Sequence, residues 1–172
     1  GAFIVPLVKI TSVALSGNGT EDSPYLITNA DDLKVFRDSV NGGNAYAGKH
    51  VQLAADIDLK YTTFVPIGVS STTPFKGIFD GANHTVRGLY VAQANVVGTA
   101  NHSGFFGYIS KATVKNLILE DVSVSTYSAT GKAGTVKPSN ANGGNGGAAS
   151  SVVSGGIAGR AMARSLSNCQ VR

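Results

Sequence analysis

The sequence predicts an all-β protein: a right-handed parallel β-helix (solenoid) with one short N-terminal capping helix. Three observations carry that expectation. Glycine is abundant, at 22 of 172 residues, and only 14% of the chain is charged. Many short strands with tight turns suit such a composition better than long charged helices do. A glycine-framed apolar pattern recurs 52 residues downstream, and self-similarity of that kind marks stacked repeat units. Helical spacing stands out in one short stretch only.

Residues 1–16 are expected to be an edge strand or the tail of a preceding region. Gly1 to Ile10 is apolar but lacks the basic start and small-residue exit of a signal peptide. The β-helix domain is expected over 17–172, opening with the capping helix at about 30–41. Asn29 followed by Asp32 makes an N-cap with an acidic third position, and Asp31 suits the positive end of the helix dipole. Leu33, Phe36 and Val40 then recur at helical spacing, and Asn41-Gly42-Gly43 supplies a stop. A helix with one apolar face needs something to cover, and the end of a solenoid needs a cover. From Val51 to Leu59 the odd positions are apolar and the even ones mostly polar, the alternation of a half-buried strand.

The repeat aligns Gly104-Phe105-Phe106-Gly107 with Gly156-Ile157-Ala158-Gly159. At the same offset and without a gap, Val114 meets Leu166, Asn116 meets Asn168, Leu117 meets Cys169 and Leu119 meets Val171. An upstream copy places Val86, Leu89 and Val91 28 residues before Val114, Leu117 and Leu119, with the same spacing of three then two. One such strand cannot bury its apolar side alone, whereas stacked repeats can. A Gly/Ser/Asn-rich loop at about 125–154 is inserted between the last two units, either functional or disordered.

With these residues in view, Gly104-Phe105-Phe106-Gly107 and Ala112 to Leu117 resemble the GLUG motif of bacterial surface proteins. Gly156 to Gly159 through Asn168-Cys169 resembles a second copy, departing at Ala158 and Cys169, where inward positions stay small or apolar. Phe75 to Gly81 with His84-Thr85-Val86, and Gly17 to Ile27, resemble the preamble of such repeats, so the likeness runs over about 17–172. It implies a secreted or cell-surface location in a bacterium and an adhesin-like role, and it names no ligand.

The candidate chemistry is sparse. One cysteine, Cys169, excludes an internal disulfide and any cysteine-based zinc cluster. No cofactor or metal is expected. No basic run accompanies the net charge of +4, so nucleic acid is not an expected partner. No apolar stretch is long enough for a membrane-spanning helix, so no membrane insertion is expected. Neither a His-Glu-x-x-His nor a Gly-x-Ser-x-Gly motif occurs.

Asp56 and Asp58, two apart on a strand, would stand about 6.6 Å apart, near the carboxyl separation of inverting glycosidases; the expected reading is nevertheless a solvated outer strand face. Asp80, His84 and Arg87 offer an acid, a base and a cation, although Asp80-Gly81-Ala82-Asn83 is also what a tight turn needs. His50 and His102 are isolated. Asn116 and Asn168 share a repeat position and suit a ladder of side-chain amides. Asn18, Asn83 and Asn101 begin glycosylation-type triplets, which mean little in a bacterial protein. Tyr61, Tyr108 and Tyr127 are the candidates to stack on a sugar. The expected function is therefore a non-catalytic adhesin-like module that recognises a glycan or host-surface ligand, or alternatively part of a β-helical glycoside hydrolase or polysaccharide lyase. After Val171 no cap is visible, so the module is expected to continue into, or pair with, further β-helix coils.

Overall fold

The computed structural model of the chain describes residues 14–92, 104–127, 133–134, 139–143, 157–162 and 165–172. Within these residues the chain is all-β, with short, mostly parallel strands and a single helix, α1 (Ala30–Asn41). The helix begins as its sequence dictates: Asn29 Oδ1 accepts from Asp32 N at 2.8 Å, and Asp32 Oδ2 accepts from Thr28 N at 3.0 Å. The first bond satisfies an orphan donor of the helix, and the second ties the residue before the cap to the first turn. Gly43, at φ 110°, follows the helix end. Leu33, Phe36 and Val40 are fully buried, and the Phe36 ring meets Phe75 at 5.5 Å and Phe79 at 5.8 Å.

One run of parallel neighbours comprises β1 (Tyr25–Ile27), β2 (His50–Leu53), β4 (Ile78–Asp80), β8 (Thr113–Lys115) and the first part of β14 (Ser165–Val171). Its register sets Tyr25, Val51, Phe79, Val114 and Leu166 in one row. A second run comprises β3 (Ile57–Asp58), β5 (Thr85–Arg87), β9 (Ile118–Glu120) and the rest of β14, with Ile57, Val86, Leu119 and Val171 in its row. From Val51 to Val171 these row residues are buried, and outward neighbours such as Asp58 and Arg87 are exposed. Period-two alternation thus puts one side of every strand into a common core.

Two further parallel pairs complete the set. β6 (Tyr90–Ala92) pairs with β10 (Ser123–Tyr127), and β7 (Phe106–Ser110) pairs with β13 (Ala158–Met162). Single bridges tie Ile67 to Phe106 and Phe75 to Ile109. Phe75, Phe79, Phe105 and Phe106 are fully buried. Phe79 and Phe106 meet edge-on at 5.3 Å, and Phe75 stacks on Phe106 at 5.2 Å. Each such ring contributes about 1.5–3 kcal/mol over its exposed state.

The 52-residue offset appears as hydrogen-bonded register: Phe106 faces Ala158, Val114 faces Leu166, and Leu119 faces Val171. The upstream copy requires correction. Val86 pairs with Leu119 rather than standing level with Val114, and Val114 pairs with Phe79. The spacing of three then two recurs one strand further on, at Leu119, Val122 and Val124, so spacing alone could not choose between the two alignments.

The expected edge strand at the start is touched only at its end, where Ser16 bridges Leu26 in antiparallel sense; residues 1–13 lie outside the described residues. The stretch anticipated as an inserted loop carries strand structure at three points. β10 extends into it as far as Tyr127, β11 (Ala133–Gly134) lies antiparallel on β10, and β12 (Ser139–Gly143) lies antiparallel on β14.

Candidate functional site

The outward side of β3, β5 and β9 carries a row of charged side chains. Parallel register places Asp58 beside Arg87 and Arg87 beside Glu120. Arg172 N donates to Leu119 O and Asp121 N to Arg172 O, at 2.7 and 3.1 Å, so Arg172 comes next in the row. Signs alternate along it: Asp58, Arg87, Glu120, Arg172. Arg87 Nη2 lies 3.1 Å from Asp121 Oδ2 and 3.6 Å from Glu120 Oε1. The hydrogen bond to Asp121, with the charge of Glu120, raises the guanidinium above its already high pKa. Asp56, Ile57, Asp58, Thr85, Arg87 and Glu120 line an open groove of about 220 Å³.

Asp56 and Asp58 share this groove, yet both carboxylates are engaged with the chain's own backbone. Asp56 Oδ1 accepts from Thr85 N at 2.9 Å and stands 3.1 Å from His84 Nδ1. The Thr85 amide first, and His84 second, hold the Asp56 carboxyl below its ordinary value. Asp58 Oδ1 accepts from Lys60 N at 2.8 Å, fixing the turn after β3. Asp80 does likewise, accepting from Ala82 N at 2.8 Å, and His84 turns to Asp56 rather than to Asp80. The trio of Asp80, His84 and Arg87 is therefore split: Asp80 holds a turn, His84 holds Asp56, and Arg87 sits in the charge row.

Asn116 and Asn168 form the anticipated ladder. Asn168 Nδ2 donates to Asn116 Oδ1 at 2.9 Å and reaches Asn83 Oδ1 at 3.2 Å, while Asn116 Nδ2 donates to Asp80 Oδ1 at 3.0 Å. Both residues are left-handed, at φ 53° and 49°, a conformation that asparagine tolerates better than other L-residues. Leu117 and Cys169 follow them into the core, as do Phe105 and Ile157 within the glycine frames. Gly104 is buried. A Cβ on Gly107 would stand 2.4 Å from Gly68 O, so only glycine fits there. Gly159 falls between Ala158 and Arg160, which pair with Phe106 and Tyr108, so it stands opposite Gly107. Gly156 lies outside the described residues. Burial pushes the Cys169 thiol up to about 11.

The tyrosines scatter. Tyr61 is 57% exposed and left-handed at φ 55°, and its amide donates to Gly88 O at 3.0 Å beside the charge row. Tyr108 is half-buried, with its backbone paired to Arg160 on another face. Tyr127 pairs by its backbone with Ala133, and its side chain is outside the described residues. Sequence reasoning missed the charge row, because Asp58, Arg87 and Glu120 recur at no constant offset.

No protein-family model matches the chain, and no solved structure matches it. Two curated proteins are similar. Halomucin of Haloquadratum walsbyi is 30% identical over 142 residues, which is 74% of this chain and 2% of that protein. A Gly-rich membrane protein of Evansella cellulosilytica is 31% identical over 118 residues, 63% of this chain and 12% of that protein. The chain thus spans a small part of either relative. No helix among the described residues is long and apolar enough to cross a membrane.

Proposed function

We propose that the chain is a right-handed parallel β-helix of the GLUG type, a non-catalytic module of a much longer secreted or cell-surface protein. As an adhesin-like scaffold it presents its outer faces to a glycan. The observation that carries this reading is the in-register return of the chain at unequal intervals. From Val51 the row advances to Phe79, Val114 and Leu166 while the intervening chain lengthens. Stacked coils with loops of free length have that property. Similarity to small portions of a halomucin and of a Gly-rich membrane protein supports a surface or membrane-associated setting.

Tyr61, 57% exposed, is the tyrosine through which we propose contact with a sugar, beside the row of Asp58 and Arg87. A broad array of plant, mucin and bacterial glycans tests the reading. A saturable hit that weakens at least tenfold in Tyr61→Ala supports it. Silence across the array, or binding indifferent to Tyr61, overturns glycan recognition through this face. Labelling of intact source cells with an antibody to the module tests its location, and labelling only after lysis refutes it.

One observation favours the enzymatic alternative. Asp58 and Glu120 flank Arg87 two strands apart, about 9.5 Å at the usual strand spacing, the upper end of the inverting separation. Release of reducing ends from a polysaccharide, abolished in Asp58→Asn and Glu120→Gln, would replace the scaffold reading with that one.

A further inference from the structure

The neighbours of β14 differ on its two edges. On one edge both partners, β8 and β9, run parallel to it. On the other stands β12, antiparallel, with Ser139 opposite Val171, Asn140 opposite Gln170, Ala141 opposite Cys169 and Gly143 opposite Leu166. β10 likewise has one parallel and one antiparallel neighbour, β6 along Ser123–Ser125 and β11 at Thr126 and Tyr127. Both reversed strands come from the same stretch of chain, between β10 and β13.

An uncovered strand edge is a template for another chain. β12 covers that of β14 with the sequence Ser-Asn-Ala-Asn-Gly, residue types mostly depleted from strands. The pairing is also broken by a register shift between Ala141 and Gly143. A stronger competitor lies within the molecule. β14 is seven residues long against five for β12, and it carries Leu166, Cys169 and Val171. The edge that β12 covers already accepts an antiparallel strand. Pairing of one edge with its own copy about a two-fold axis is antiparallel too.

We infer that Ser139–Gly143 is a built-in edge cap, and that its release opens β14 to antiparallel pairing with β14 of a second copy. The cap keeps each molecule single, and its displacement converts the module into an edge-to-edge dimer. The inference takes the stacked coils of the preceding reading as its base.

The test is solution mass by light scattering on the full chain, wild type against an Asn140→Pro, Ala141→Pro double variant. Neighbouring strand residues aim their amides to opposite sides, so one of the two prolines removes a donor facing β14. The expected result is a monomeric wild type and a variant of twice the mass with an unchanged circular-dichroism spectrum. A folded, monomeric variant overturns the inference, and so does a wild type that dimerises as readily. Amide exchange on the wild type decides the matter should the variant unfold. The cap requires residues 139–143 to be protected and to open together with 165–171; free-peptide exchange at 139–143 beside a protected 165–171 overturns it. Protection in β2, β4 and β8 reports on the stack itself, so failure of the coils and failure of the cap are distinguishable.

Discussion

Replacing Phe79 by alanine removes the ring that joins the helix to the repeat. Phe79 is fully buried, stacks on Phe36 at 5.8 Å and meets Phe105 and Phe106 edge-on at 5.7 and 5.3 Å. Phe→Ala in a core costs about 3–5 kcal/mol, transfer and cavity together. Each aromatic pair adds roughly 0.5–1.5 kcal/mol beyond area, so this position belongs at the upper limit, about 5 kcal/mol. Domains of ordinary stability hold about 5–15 kcal/mol. The loss therefore takes between a third and the whole of it. In urea, at a slope of about 2.5 kcal/mol/M, the midpoint falls by about 2 M. Phe79→Leu retains most of the volume and recovers more than half of the loss. An alanine variant that loses under about 1.5 kcal/mol, or alanine and leucine variants that lose equally, would refute the packing argument.

Three shorter tests address the site and its supports. Asn116→Ala should cost about 2–3 kcal/mol, from two side-chain hydrogen bonds and an alanine forced to positive φ. Asn116→Gly should cost about 1 kcal/mol less, and equal losses in a chemical melt would remove the backbone part of the account. Because the Asp56 carboxyl lies below its ordinary 3.8, its contribution is present above that pH and fades as pH falls through the folded value. Stability of Asp56→Asn should therefore vary less with pH on the acid side, and an acid limb parallel to wild type would contradict this. The Cys169 thiol, raised from 9.0 to about 11 by burial, should react with a disulfide reagent at pH 8 far more slowly in the native protein than in urea. Equal rates would place it at the surface.

How much of this could be read beforehand depended on whether the signal was local. The helix was legible because its cap, apolar face and stop lie within fifteen residues of one another. The 52-residue pairing was legible because no gap intervenes between Gly104 and Leu119 or their partners. The upstream register was not, since Val86-x-x-Leu89-x-Val91 fits two successive positions, at Val114 and at Leu119. Nor was the charge row, because Asp58 and Arg87 are 29 residues apart and Arg87 and Glu120 are 33; loop length hides a side-by-side placement that only hydrogen-bonded register reveals. β12 escaped notice because Ser-Asn-Ala-Asn-Gly has the composition of a loop, and a long-range edge holds it in strand form. The turn at Asp80 was legible in Asp80-Gly81-Ala82-Asn83, whereas the use of Asp56 and Asp58 as backbone caps depends on contacts invisible in the alternation pattern.

The alternating row also constrains how such a chain can grow. Duplicating the one strand that bears Arg87 would set two guanidinium groups side by side. Like charges directly opposed across strands cost roughly 0.2–1 kcal/mol. Duplicating the strands of Asp58 and Arg87 as a pair would preserve the sequence of signs at no such cost. Lengthening by pairs of strands is thus the cheaper genetic route, a parity rule written on the outside of the fold rather than in its core.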